Sequence, residues 1–485
     1  MQGYFGSFQI GRILILRSLA GIYIIAFISA LDQFPALLGE NGFLPVADFI
    51  KHISFKQSPS LFCFYYSDIF FISLTWVGIL LSTIALIGLS EKWPWWISMC
   101  LWLAIWVIYL SIVNVGQIFY RFGWESMLLE AGFFAAFLGS SRVAASLVPI
   151  LIFRWMLFRI ELGAGLIKLR SDPCWSNLTC LYYHYETQPL PNPLSLFFHQ
   201  LPQWFQRFSV FFSHVIQVVL PFGLLAPQRI ALFSGLLIIL HQLLLIVSGN
   251  YSWLNWLTVI LGFSAFSDSF FAFFSIASAA KTARSLIYNL LIYLLAAFTI
   301  LLSIQPTLNF LSKHQLMNYS FNPFHLVGCY GAFGSITKQR YEIVIEGTDD
   351  LKISPQSLWK EYEFRAKPGD IKKRPPQIAP YHLRLDWLMW FLPFSVTVTP
   401  QGIRKPGYEL WFLRFIRKLL EGDSKTLRLL RVIPFKEMPP HFIRAKYYLY
   451  QFTDSEERKS TGAWWQRTFI DTYLPPVSLV ELKDV

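Results

Sequence analysis

Up to about residue 304, apolar runs long enough to cross a bilayer follow one another with hardly a charge inside them. Beyond that point the chain reads as an ordinary soluble domain. Covering the hydrocarbon core takes about 20 predominantly apolar residues. Nine stretches are candidates: 10–31, 69–89, 95–115, 126–138, 147–169, 210–225, 230–247, 253–276 and 286–304. Those at 126–138 and 210–225 are short, as re-entrant or bundle-buried segments are, which makes about seven to nine spans. The expected fold class is therefore an α-helical polytopic membrane bundle over 1–304, followed by a β-rich soluble C-terminal domain over 305–485. Composition points the same way, with 54% apolar and only 14% charged residues, against about a quarter charged in soluble proteins. The first stretch carries Arg12 and Arg17 and has no small-residue cleavage site. It reads as a span rather than a cleavable signal peptide.

Lys92, Arg142, Arg229, Lys281 and Arg284 fall in short, nearly acid-free loops after even-numbered spans. The positive-inside rule makes those loops cytoplasmic. With an odd number of spans, the segment 170–207 and the C-terminal domain both face the lumen or the exterior. The net charge of +12 lies mostly in the C-terminal domain and is interspersed with acids, apart from the run Lys372, Lys373, Arg374. Dispersed charge of this kind argues against nucleic acid and leaves membrane lipids as a partner. No internal repeat appears, so a solenoid is excluded and an inverted-repeat transporter is unsupported.

In the C-terminal part, 341–347 alternates and ends at a glycine, which predicts a strand and a turn. The runs 359–364 and 441–452 alternate likewise. Helices are expected over 381–391 and over 408–420, the second with Leu410, Leu413, Ile416 and Leu420 on one stripe and a stop at Gly422. A sheet or sandwich with a few helices follows.

The polar, proline-bearing segment from Lys168 to His199 is too distinctive to be a linker. Cys174 and Cys180 lie on the expected oxidising side, at a spacing other than that of thiol-disulfide exchange motifs. A structural disulfide is expected, worth about 2 to 3 kcal/mol, with two free thiols as the alternative. Cys63 and Cys329 are further cysteines, and Cys100 is expected as a buried apolar residue of a span. His184, His199 and His214 are too scattered for a metal site, and no cofactor is expected. Asn177, Asn250 and Asn318 begin N-glycosylation triplets, which arise often by chance. Glu125, Glu130, Arg154, Arg159 and Glu161 sit at membrane depth, where charges are costly and pair inside the bundle.

Several longer words resemble the lipase maturation factor family: GENGFLP (39–45), FGWESMLLEAG (122–132), DPCW (172–175), YHYETQPLPNP (183–193), SGNYS (248–252), CYGAFGS (329–335), KPGD (367–370), RLDW (384–387), LEGD (420–423) and LPPV (474–477). That resemblance implies a membrane protein, of the endoplasmic reticulum in a eukaryote or the plasma membrane in a bacterium. It implies a non-enzymatic role in the folding and assembly of secreted clients such as dimeric lipases. Asp172, Trp175, Tyr183, His184, Tyr185 and Glu186 are then the candidate client contacts. The shorter word AGLIKL (164–169) is similar to a helix end of the vitamin K-dependent gamma-carboxylases, a family in which a matching lysine is the base. The alternative function is thus a membrane-embedded enzyme acting on a quinone or lipid through Lys168 or His241. Against it stands a Lys168 that snorkels from the helix C-terminus toward the interface.

Overall fold

The computed structural model describes residues 6–274 and 283–483. Its apolar runs become α1 (Gln9–Leu37), α2 (Asp68–Leu86), α3 (Trp95–Val115), α4 (Gly123–Ala135) and α5 (Leu147–Arg170). After these come α6 (Leu181–Thr187), α7 (Gln203–His214), α8 (Gln228–Ser248), α9 (Leu254–Gly262) and α10 (Leu286–Leu311). Ser67 and Ser285 cap α2 and α10 by accepting the backbone N–H of Phe70 and Tyr288. Among the described residues five helices, α1, α2, α3, α8 and α10, are long and apolar enough to cross a membrane.

The other four apolar stretches take other forms. The stretch 126–138 lies in α4, whose 13 residues reach only about 20 Å. The stretch 210–225 stays helical to Gly223 but contains a π turn at Val215–Val219, into which α7 runs directly. The stretch 253–276 divides into α9, a 3-10 turn at Phe263–Ala265 and a short helix at Asp268–Ala272. Residues 275–276 and Lys281 lie outside the described residues. The stretch 147–169 does form one helix, α5, but it carries Arg154, Arg159, Glu161 and Lys168, all buried. A helix buried on all sides belongs at the centre of a bundle, and α5 is that helix. Cys100, by contrast, is exposed on α3.

Close helix packing explains part of the sequence. A Cβ on Gly78 of α2 would come within 2.5 Å of the Phe27 ring of α1. Phe34 of α1 stacks on Phe71 of α2 with ring centroids 4.2 Å apart. Tyr23 of α1 donates its hydroxyl hydrogen to the Leu128 carbonyl of α4 at 2.9 Å.

The C-terminal part contains β1 (Arg340–Thr348), β2 (Lys360–Glu361), α11 (Arg384–Phe391), α12 (Leu410–Leu420), β3 (Phe442–Phe452) and β4 (Trp465–Ser478). The four strands form one antiparallel sheet in the order β2–β1–β3–β4. Two two-stranded ribbons accompany it, so the strands make a single sheet and not a sandwich. The longest strand, β4, carries Pro475 and Pro476; it is an edge strand, where missing donors are tolerated. Helix α12 ends at Gly422 in the left-handed region, with φ +66°. Its buried face is Trp411, Phe412, Phe415, Ile416, Leu419 and Leu420, while Leu410 is exposed. The expected leucine stripe is rotated because the aromatic side chains have more apolar area to bury. Helix α11 begins at Arg384, three residues later than expected, because the His382 carbonyl accepts hydrogen bonds from Ser29 and Gln33 of α1.

That contact is one of several joining the two parts. Arg384 is fully buried; its Nη1 pairs with Glu125 Oε1 of α4 at 2.6 Å and donates to the Phe119 carbonyl at 2.9 Å. The Arg384 guanidinium lies 3.4 Å from the Tyr120 ring centroid. Glu125 also accepts the Tyr109 hydroxyl. Arg159 of α5 pairs with Glu130 and donates to the Gly328 carbonyl, while Glu130 accepts the Tyr330 hydroxyl at 2.6 Å. Both acids of α4 are therefore neutralised by arginines from other elements. Arg154, in contrast, donates to the carbonyls of Ser264 and Leu224 and to Gln228.

Removing one partner of a buried ion pair leaves an uncompensated charge and costs about 3–5 kcal/mol. Arg384→Met should lower the melting temperature of the detergent-solubilised protein strongly, and Glu125→Leu in the same chain should restore part of the loss. Burial, with the Arg384 charge next to it, pulls His382 from 6.5 down to about 4. The imidazole is held neutral with Trp124 Nε1–H donating to its Nδ1 at 3.4 Å. The depressed value means that the stability His382 contributes is complete above pH 6.5 and drains away as the pH falls toward 4. It amounts to something on the order of 3 kcal/mol. His382→Phe should flatten the fall in melting temperature between pH 7 and pH 4.5; an unchanged fall would clear His382 of the effect.

Candidate functional site

Along α5, Glu161, Ala164 and Lys168 recur at helical spacing, so the three share one face. That face looks into a cavity of about 290 Å³, lined also by the π turn, α6, α7, α8, α9 and the loop 330–333. Two glycines of α5 let the walls come close. A Cβ on Gly165 would stand 2.7 Å from Val218 Cγ2, and one on Gly163 would stand 2.3 Å from the Tyr330 carbonyl oxygen.

Lys168 is buried and does not reach for an interface. Its Nζ donates to Gln217 Oε1 at 2.8 Å and lies 4.9 Å from the Trp175 ring centroid. Glu161 accepts Gln242 Nε2 at 2.7 Å on one carboxylate oxygen. His241, next to Gln242 on α8, lines the same cavity. The Tyr251 hydroxyl donates to Gln188 Oε1 at 2.6 Å and accepts from His184 Nε2 at 2.8 Å, which assigns the ring proton to Nε2. Burial, aided by the Lys168 charge, pulls His184 down to about 3, so it stays neutral. Glu161 Oε2, His241 Nδ1 and Asn255 Nδ2 are buried without a hydrogen-bond partner among the described residues. The walls are otherwise apolar. The cavity thus offers a mostly apolar pocket with a small group of polar atoms, the usual construction of a ligand site.

The predicted residues take different places in the fold. Lys168 and His241 line the cavity, together with Trp175, His184 and Tyr185. Trp175, His184 and Tyr185 are buried, so these three are not free surface contacts. Asp172 caps the turn at Cys174 and accepts the Ile336 N–H, and Glu186 accepts the Phe452 N–H. Tyr183 remains partly exposed, beneath the Lys338 ammonium. Cys174 and Cys180 are joined in a disulfide, with Cα atoms 4.8 Å apart. Asn177 is exposed next to it. Asn250 is not a glycan acceptor in this fold. It is buried, donates to the carbonyls of Pro191 and Pro376, and accepts from the backbone of Ile378 and Ala379. Asn318 is exposed, in the left-handed region at φ 54°. Among the described residues no group of three His, Cys, Asp or Glu is placed to hold a metal.

Gln217, Tyr251 and Asn255 are site residues that the sequence reading passed over. The one available signal was the spacing of Glu161 and Lys168 on a single face of an apolar helix. Gln217 carries no such signal, because only the π turn aims it at Lys168.

A family model for the lipase maturation factor transmembrane domain matches residues 10–273, and one for the lipase maturation factor C-terminal domain matches 326–475. The chain belongs to the lipase maturation factor family. Lipase maturation factor 1 of Mus musculus is 38% identical, covering 99% of this chain and 89% of its own length. Lipase maturation factor 1 of Homo sapiens is 39% identical with the same coverage. Lipase maturation factor 2 of Xenopus laevis is 30% identical, over 98% of this chain and 83% of its own. No solved structure matches. Like the family's transmembrane domain, this is an integral membrane protein with apolar membrane-crossing helices.

The bonded pair Cys174 and Cys180 should resist a maleimide in intact, non-reduced membranes and become reactive only after reductant, with peptide mass spectrometry locating the label. Labelling of both before reduction would show the loop to carry free thiols.

Proposed function

We propose that this membrane protein assists the folding and assembly of secreted lipases, acting as a non-enzymatic maturation factor. What carries the reading is similarity at 38–39% identity across 99% of the chain to proteins named lipase maturation factor 1. A role limited to one half of those proteins would not call for agreement along the whole length. The membrane is that of the endoplasmic reticulum in a eukaryotic host and the plasma membrane in a bacterial one. Residues 1–304 form the membrane domain, 170–207 its large extracytoplasmic loop, and 305–485 an extracytoplasmic domain. Adding to the five apolar helices the central α5, the segment around the π turn and the α9 region brings the count toward seven to nine. Client contacts fall on the exposed rim of the loop around Tyr183 and on the C-terminal domain. Asp172, Trp175, His184, Tyr185 and Glu186 hold that loop in shape.

A second reading, an embedded enzyme with Lys168 as base, draws on one observation: Lys168 and His241 line the same mostly apolar cavity. Arginine keeps the stem and the charge but accepts no proton. Lys168→Arg therefore separates the two readings. In cells lacking their own maturation factor, co-expression of this protein should raise the activity of a secreted dimeric lipase in the medium, and Lys168→Arg should do so at close to the normal yield. Loss of activity in a well-expressed, correctly inserted Lys168→Arg protein would move the weight to the enzyme. For the topology, a tag at Arg284 should be reachable from the cytosol alone and a tag at the C-terminal end from the opposite side alone. Both on one face would mean that α10 does not cross, and finding the two ends of the protein on one face would overturn the odd number of spans.

A further inference from the structure

The cavity lined by Glu161, Lys168 and His241 opens between α7 and α8. Phe205, Phe208 and Leu244 line it and are also exposed. The outward faces of both helices around that opening are apolar, with Trp204 70% and Leu240 50% exposed. Helix α8 is one of the membrane-crossing helices, so its apolar outer face meets lipid. A ligand entering between α7 and α8 therefore comes sideways out of the bilayer and has an apolar tail.

The inner end selects the head. Lys168 and Glu161 are the ionisable pair of opposite sign there, and together they add no net charge. A charged head would be buried without compensation, at a cost of several kcal/mol. A neutral head meets three unsatisfied atoms: the acceptor Glu161 Oε2, the donor Asn255 Nδ2, and His241 Nδ1, which serves as either. Leaving such atoms unpaired in a dry site is expensive, and a ligand bearing both a hydroxyl hydrogen and an acceptor oxygen satisfies them. The space of about 290 Å³ holds a head and the start of a tail, with the remainder lying along the mouth.

We propose that this cavity binds a neutral lipid whose uncharged head carries both a hydroxyl group and a further acceptor oxygen, admitted laterally between α7 and α8. Monoacylglycerols and isoprenoid hydroquinones share that chemistry. The site does not depend on the maturation reading, and its test measures binding alone, so either can fail without the other.

The full chain in phosphatidylcholine nanodiscs is exposed to a monoacylglycerol with a photoreactive tail, and crosslinks are mapped by mass spectrometry. Labelling is expected on Phe208 or Leu244, competed by unlabelled monoolein or by an isoprenoid hydroquinone. The stronger competitor names the source, and phosphatidylglycerol should compete weakly. Asn255→Leu should weaken competition about tenfold, equivalent to one lost hydrogen bond of about 1.4 kcal/mol. A melting temperature equal to the parent's shows that this variant folds. Should it not fold, Ala164→Val, which only narrows the cavity, should reduce labelling in its place. Unsaturable or dispersed labelling, preferential competition by phosphatidylglycerol, or full labelling in a folded Asn255→Leu protein would overturn the proposal.

Discussion

The fully buried pair of Arg384 and Glu125 is the constraint on which the arrangement of this protein depends. Helix α4 carries two acids into an apolar interior, where a lone carboxylate is prohibitively costly. Glu130 finds its arginine on the neighbouring helix α5, but Glu125 finds its own about 260 residues away, in the C-terminal part. The membrane domain thus cannot complete its interior without the domain that follows it. The ring of Tyr120 and the hydroxyl of Tyr109 close the remaining sides of that charge cluster.

The segment after α5 acts as the mortar between the two parts. Arg340, at the start of β1, pairs with Glu342 and donates to the carbonyls of Glu186, Gln188 and Pro189. Asn192 and Asn250 bond across to Gln377 and to the backbone of 376–379. Trp390 of α11 donates to the Thr187 carbonyl. Backbone carbonyls in a proline-rich segment have few partners of their own, and side chains from elsewhere satisfy them. This explains the density of Pro, Asn and Gln there better than a freely exposed binding loop would.

The cavity differs from those clusters in where its spare polar atoms stand. Glu161 Oε2, His241 Nδ1 and Asn255 Nδ2, three of the buried atoms without a hydrogen-bond partner among the described residues, belong to side chains that line one ligand-sized space. The same helix, α5, supplies the Arg159 that seals the bundle and the Lys168 and Glu161 that line the open space. Two sides of one helix thereby serve different ends, with Arg159 facing its ion pair and Glu161 and Lys168 facing a ligand-sized pocket.

What the sequence determined by itself was local. Period and length of the apolar runs established the helices, since a run of apolar residues has few other ways to satisfy its backbone in lipid. Strict alternation marked β1 and β3, and the expected oxidising side suggested the bond between Cys174 and Cys180. Paired prolines hid β4, whose edge position alone permits them. The tertiary structure decided everything that joins distant positions. It chose Arg384 as the partner of Glu125, turned Lys168 inward to Gln217 through a π turn, and buried Trp175, His184 and Asn250, which had looked like surface residues. It also broke the apolar stretch at 253–276, which composition alone had rendered as a span, and set a π turn inside the one at 210–225. The reason is the same in each case: hydrophobicity and propensity act through neighbours in the chain, whereas the cost of a buried charge or an unpaired polar atom is settled by whichever residue the fold brings within 3 Å or so.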